Sequence, residues 1–321
     1  MQKSTVIMKN LYSNEFYANI QQPSLPIEQV LKDINFSANT GELWSVLGSS
    51  VYEIKLLLEI MANAKAYEKG KLMLVGLDTT KKKGTILPHV FYIGSTNMAY
   101  GNMNVLEYLM FITSNSNRET IERQEYLLNY LVASDMGYIG LTPISMLTIQ
   151  EKSIVILAAA MLSDSVLIIF NLPKLHFSPK EISTISKLTS RLPYIGKSLI
   201  ISTQCNELAQ SISSHVCYID KGRILFKDTL NKFLEYDRVT YLIGAENLNY
   251  TLQSLRYALP QFEYQIEDNA LQVFTNKDSK QAGTFLFNTL GSYKINPTFV
   301  LKNNKNIKNS IQGLMRQHDI Q

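Results

Sequence analysis

The sequence predicts an α/β fold, with a mostly parallel sheet covered by helices on both faces, followed by a small α+β unit. Three observations predict it. The runs 166–170 (VLIIF) and 198–203 (SLIIST) are apolar without alternation, as strands buried on both faces must be. Segments of helical period separate such strands, the pattern of helices crossing over a parallel sheet. Beyond about residue 238 the order becomes strand, helix, two strands, helix, strand, a βαββαβ arrangement.

At 321 residues the chain has room for roughly two domains, and an apolar content of 45% is enough for a real core. Its 31 basic and 27 acidic residues leave a mild +4, which carries no nucleic-acid footprint. The two cysteines, Cys205 and Cys217, lack metal-ligand spacing and read as buried thiols in a reducing compartment. Residues 1–10 hold no sustained apolar block, and the longest apolar run, 154–162, is far too short to span a bilayer. The chain is therefore expected to be soluble and to meet a membrane only through partners.

Taken in order, 4–11 and 34–38 read as strands joined by a polar connection holding Phe16 and Tyr17. An aromatic there could stack on an adenine or cover the sheet edge, and the second reading is the simpler one. Next comes GELWSVLGSSVYEIKLLL, residues 41–58: a strand over 42–47, a break at Gly48, a loop over 49–53 and a helix over 54–62. Strand, glycine-started loop and helix form the setting of a phosphate-binding loop. The chemistry of such a loop is missing. Read without gaps from Gly48, the second glycine position holds Glu53, the lysine position Ile54 and the hydroxyl position Lys55. A carboxylate then points where phosphate oxygens would sit, and the cation for the outer phosphates is gone, unless Lys55 swings back.

Strands follow at 70–76 and 90–93, with a solvated charge run at 81–83 between them and a polar loop over 94–104 afterwards. Helical spacing covers 105–113, 120–133 and 147–162; then come the strand 166–170, a helix opened by Pro179 to about 189, the strand 198–203 and a helix over 207–213. A hairpin pairs 216–220 with 223–226 across Lys221-Gly222, where Asp220 and Lys221 read as turn residues rather than as a charged site. After a boundary at 230–238 come strand 239–245, helix 250–258, strands 262–266 and 270–275, helix 279–290 and strand 297–301. A last amphipathic stretch, 307–315, packs on its own domain in the simpler reading and docks on a partner in the other.

Four segments, GELWSVLG (41–48), GKLMLVGLD (70–78), LSDSVLIIFNLP (162–173) and the run from SLIISTQ to KDTL (198–230), resemble in order and spacing the nucleotide-binding subunit of ATP-binding cassette (ABC) transporters. The resemblance covers roughly 4–230. It implies a cassette ATPase-like, P-loop-type core over 1–232 with a helical subdomain at about 95–160. The remaining 238–321 resembles the accessory domain of subunits serving ABC-2 type exporters.

The same resemblance assigns the functional positions. The metal-sensing glutamine falls at Ser95, and the signature segment at Leu147-Thr148-Ile149-Gln150-Glu151. The magnesium-holding acid falls at Asn171, the water-activating carboxylate at Leu172, the aspartate of the next loop at Ser178 and the switch histidine at Gln204. Asn171 has no charge to hold Mg²⁺, and Leu172 accepts no proton. Ile149 and Gln150 place β-carbons where glycines would let a phosphate approach, whereas Gln204 keeps a hydrogen-bond donor.

Both halves of the family's shared site are altered. The resemblance thus implies a non-catalytic subunit with neither nucleotide nor metal cofactor, coupling or regulating a permease through 94–110. It would lie in the cytoplasm, peripheral on the inner face of the cell membrane, paired with a second cassette subunit as a homo- or heterodimer. Two alternatives stand beside it. One is an unorthodox ATPase that binds ATP with Mg²⁺ weakly or in a composite site. The other is a soluble cassette protein acting on nucleic acid or ribosomes, against which stand the single cassette and the mild charge.

Overall fold

The computed structural model describes residues 4–17, 28–80, 86–94, 101–172, 176–275 and 282–319. The chain divides into two compact units, Met1–Leu230 and Asn231–Gln321.

In the first unit, β1 (Ser4–Ser13) and β2 (Ile34–Asn39) precede β3 (Leu43–Gly48) and α1 (Val51–Met61). Next come β4 (Tyr67–Leu74), β5 (Leu77–Asp78), β6 (Val90–Ile93) and the helices α2 (Val105–Ile112), α3 (Thr120–Ala133) and α4 (Ile149–Leu162). The unit closes with β7 (Leu167–Leu172), α5 (Pro179–Thr189), β8 (Ser198–Thr203), α6 (Asn206–Ile212), β9 (His215–Asp220) and β10 (Arg223–Thr229).

The central sheet runs β10-β9-β3-β8-β7-β6. It is parallel from β9 to β6, and β10 joins antiparallel through the expected hairpin. Two different layers explain why its strands show no alternation. Ile168, Phe170, Leu172, Leu199 and Ile201 face a core built with α2 to α6. Leu167, Ile169, Ile200, Val46 and Cys217 face the opposite core, built with α1 and the N-terminal strands. Each side of the pleat meets an apolar layer, so successive residues are all buried.

Strands β1, β2, β4 and β5 make a separate antiparallel sheet in the order β2-β1-β4-β5. Two expected sets of bounds need correction. Strand β4 begins earlier and ends earlier than its apolar run suggests. Its polar first half pairs with β1, Gly70 lets the β1 backbone approach, and Val75 and Gly76 turn the chain at positive φ. Helix α1 likewise starts at Val51 rather than Ile54, because Ser50 caps it.

Three other helices open with reciprocal capping boxes, Asn104 with Glu107, Thr148 with Glu151 and Ser178 with Glu181. The far end of α4 is held by the buried Lys197. Its ammonium donates to the carbonyls of Met161 (2.8 Å), Ala160 (3.5 Å) and Ser163. These are carbonyls that the helix itself leaves unpaired.

The second unit is entered through α7 (Leu230–Leu234). It comprises β11 (Val239–Ala245), α8 (Leu248–Ala258), β12 (Glu263–Glu267), β13 (Ala270–Phe274), α9 (Ala282–Ser292), β14 (Pro297–Lys302) and α10 (Ile307–Asp319). Its sheet, ordered β12-β13-β11-β14, is antiparallel throughout. One face packs on α8 and α9 through Ile243, Leu271, Val273, Leu255 and Leu286. Helix α10 packs within its own unit, burying Ile307 and Leu314 and bonding to β12 through Gln312 to Glu267 (2.8 Å) and Arg316 to Gln265. The buried Asp237 ties its start down, accepting from the backbone of Asn306 (2.9 Å) and Val239 (3.0 Å) and the side chains of Asn303 (3.0 Å) and Asn309 (3.3 Å). Among the described residues no helix is long and apolar enough to cross a membrane.

Burial pushes the Lys197 ammonium down to about 8 from its ordinary value. The folded chain therefore holds fewer protons than the unfolded one from that pH up to the ordinary lysine range, and stability rises with pH across that window. Urea midpoints of wild type minus Lys197→Met are expected to be flat below the window and to climb through it. Asp237→Ala is expected to cost about 2–4 kcal/mol, because a buried acceptor of several bonds is lost; thermal unfolding of the full chain reads it.

Candidate functional site

The site is built where β3 meets α1. Gly48 ends the strand because β9 passes against it: a β-carbon there would lie 2.4 Å from the carbonyl oxygen of Ile219. Ser49 donates its hydroxyl to Asp220 at the end of β9. The Ser50 hydroxyl accepts from the Glu53 amide at 3.3 Å and caps α1. Only Ser49 and Ser50 thus separate strand from helix. The loop expected over 49–53 is absent, since Val51, Tyr52 and Glu53 form the first helical turn. Ile54 is buried in the core shared with the N-terminal sheet. Lys55 is exposed and pairs with Glu59 one turn on at 3.7 Å, pointing along the helix surface.

Glu53 is 3% exposed. Its carboxylate accepts the backbone N–H of Gly222 at 3.0 Å and the hydroxyl of Tyr17. Gly222 sits in the β9–β10 turn at φ +75°, and a β-carbon on it would fall 2.2 Å from the carbonyl oxygen of Val30. Its own carbonyl accepts from Lys32 N–H at 2.8 Å. Glu53, the turn and residues 28–32 are therefore clamped together. Tyr17 comes from a strap paired by Tyr17 N–H to Glu28 (2.9 Å) and Val30 N–H to Glu15 (2.8 Å). Glu15 accepts from the Tyr52 hydroxyl and pairs with Lys65. Burial, reinforced by the Glu53 carboxylate, raises the Tyr17 hydroxyl far above the ordinary tyrosine range, so it remains a donor. Tyr17 thus has a role that sequence reasoning missed, a hydrogen bond into the first turn of α1. No local pattern signals it, because its partner lies 36 residues away.

The acid positions lie at the same end of the sheet, one strand beyond β8. Asn171 is buried, and its side-chain oxygen accepts from Ser202 at 2.6 Å, directly across the β7–β8 pair. Leu172 packs into the helical-side core. Gln204 is exposed just after β8. Ser178 caps α5, taking the Glu181 N–H at 3.4 Å while its own N–H goes to the Glu181 carboxylate at 2.6 Å. Residues 147–151 start a different helix. Leu147 is buried, Thr148 and Glu151 form the cap of α4, Ile149 is exposed, and Gln150 donates to the carbonyl of His176 at 3.1 Å. Ser95 lies outside the described residues. Among the described residues there is no group of three His, Cys, Asp or Glu placed to hold a metal. Cys205 and Cys217 are buried free thiols, and burial pushes that of Cys217 up to about 12.

The clamp predicts two graded losses, both read as urea midpoints of the full chain. Tyr17→Phe removes one bond to a charged group and is expected to cost ~1.5–3 kcal/mol. Gly222→Ala adds a side chain to a position with positive φ and no space, and is expected to cost more than Tyr17→Phe.

No family model matches the chain. A putative ABC transporter ATP-binding protein of Clostridium tetani is 22% identical over 215 residues, a match spanning 66% of this chain and 48% of that protein. The chain thus spans about half the length of that relative. The phosphonates import ATP-binding protein PhnC of Fusobacterium nucleatum is 23% identical over 215 residues, covering 62% of this chain and 86% of that one. Among solved structures, an ATP-binding subunit of an ABC transporter superposes with a TM-score of 0.59 at 18% identity, covering 72% of this chain and 92% of that one. The cbiO1 protein of Clostridium perfringens, part of the ABC transporter complex cbiONQ, does so with 0.59 at 16% identity, covering 81% and 97%. The fold is that of the ATP-binding cassette, and the relatives found are ATP-binding subunits of ABC transporters.

Proposed function

We propose that this cassette is a non-catalytic subunit of an ABC transporter, a degenerate pseudo-ATPase that couples or regulates a membrane permease alongside a second cassette subunit, which can be unlike it. One observation carries the reading. The position of the cradle for nucleotide phosphates is taken by the buried Glu53, whose charge is already matched by Gly222 and Tyr17. An incoming phosphate would meet a fixed negative charge, with no N–H-lined loop to hold it.

The other positions support the same reading. Magnesium finds a neutral amide at Asn171, engaged with Ser202, and no general base stands at Leu172. At the signature position the first turn of α4 is bonded to its own Glu151. The residues at these positions do not fit a magnesium nucleotide, and none of them supplies a hydrolytic step.

On this reading the chain works from the cytoplasmic face, peripheral to the membrane, with its C-terminal unit as the accessory domain of an ABC-2 type exporter. The functional domains proposed are 1–232 and 238–321, beside a division of the chain into compact units at Leu230 and Asn231. The names of the relatives favour a second reading, an ATP-binding subunit with composite-site activity.

Titration with a fluorescent ATP analogue to millimolar concentration, with Mg²⁺, separates the two. No saturable signal is expected, and magnesium-dependent saturation would overturn the proposal. Co-purification from membranes, identified by mass spectrometry, is expected to recover a multi-span permease.

A further inference from the structure

The outer face of the N-terminal sheet carries charge chiefly of one sign. Along β1 and β4, Val6, Met8, Leu72 and Leu74 point into the core beneath, so Ile7, Lys9, Lys71 and Met73 point away from it. Pairing over this stretch is regular, from Val6 with Leu74 to Lys9 with Lys71. Two exposed lysines therefore stand directly opposite each other, an arrangement that costs stability. Lys69, also exposed, lies two residues on, its ammonium 4.0 Å from the centre of the Tyr12 ring. No ion pair among the described residues involves any of the three. Two acids stand beside this face, and both are held locally. Asp33 accepts from the side chains of Asn10 and Asn35, each at 3.0 Å. Asp78 accepts from the amide (3.0 Å) and hydroxyl (2.6 Å) of Thr80. A facing lysine pair kept without an acid between its members marks a surface for an external anion.

We propose that this face rests on an anionic lipid surface, a direct contact with the membrane apart from any made through a permease. Charge complementarity selects an anion, and the groups among the lysines select a lipid. Ile7, Met73 and Tyr12 are half-buried, and apolar side chains with a tyrosine among long-stemmed lysines suit the boundary between headgroups and acyl chains. Strands β1, β2, β4 and β5 hold no arginine, whose fork would recognise particular carboxylates or phosphates bidentately. Lysines act instead as point charges on whichever headgroups lie beneath them. Three of them near such a surface strengthen binding by about a hundredfold together, and salt removes most of that gain. The contact uses no residue of the nucleotide position and holds whichever reading of that position is right.

Co-sedimentation of the full chain with phosphatidylcholine vesicles, with and without phosphatidylglycerol, tests it. Binding is expected only where phosphatidylglycerol is present, and it weakens as salt rises. Lys9→Gln, Lys69→Gln and Lys71→Gln together are expected to weaken it about a hundredfold. Lys180→Gln, Lys294→Gln and Lys302→Gln, at exposed positions elsewhere, remove the same charge and are expected to weaken it far less. Lys9→Glu separates binding from folding. It sets opposite charges across β1 and β4, so the thermal midpoint rises while vesicle binding falls. Absence of binding to phosphatidylglycerol vesicles overturns the proposal, including the outcome in which the three lysines govern capture of an acidic protein instead. Binding indifferent to lipid charge, or reduced equally by the two sets of substitutions, overturns it as well.

Discussion

A buried carboxylate constrains everything around it. Glu53 sits in the first turn of α1 with almost no solvent contact, and its charge is tolerable only because a backbone amide and a tyrosine hydroxyl are aimed at it. A buried charge without partners costs several kcal/mol or neutralises. The strap bearing Tyr17, the β9–β10 turn bearing Gly222 and the segment packed on that turn must therefore all stay in register with the helix start. Helix start, strap and turn thus form one hydrogen-bonded knot.

The helix starts repeat this in a milder form. α1, α4 and α5 each carry a glutamate three residues beyond the cap, close to the positive end of the helix dipole. At α4 and α5 that carboxylate folds back on the cap amide; at α1 it reaches outward to other parts of the chain. In each case a group of the protein itself takes up the electrostatic advantage that a helix start offers to an anion. Two of these starts are positions that the cassette resemblance assigns to phosphate recognition.

Much of the fold was legible in the residues. The non-alternating runs at β7 and β8, the Lys221-Gly222 hairpin and the βαββαβ order of the C-terminal unit all carry local signals, and the structure has each of them. The separate antiparallel sheet was not legible, because strand partnership is a long-range property and the polar half of β4 hides its own extent. The start of α1 is legible, but in its capping residues and not in the loop pattern. Aligned to a phosphate loop, residues 49–53 look like loop; taken alone, Ser50-Val51-Tyr52-Glu53 is a capping signature. The partners of Glu53 were hidden for the same reason as the sheet. Tyr17 and Gly222 approach it from 36 residues before and 169 residues after.

The shortness of the link between β3 and α1 bears on how this architecture can change. With two residues between strand and helix, the link has no slack, and its backbone is set by the strand end on one side and the helix cap on the other. Replacing Glu53 strips the Gly222 amide of its acceptor while the cap at Ser50 still winds the helix; replacing Ser50 loosens the helix while the acid remains. Either change alone removes a hydrogen bond at the start of α1 and is expected to cost stability. The cap, the buried acid and the strap therefore behave as one unit, in which a change at any member is felt by the other two.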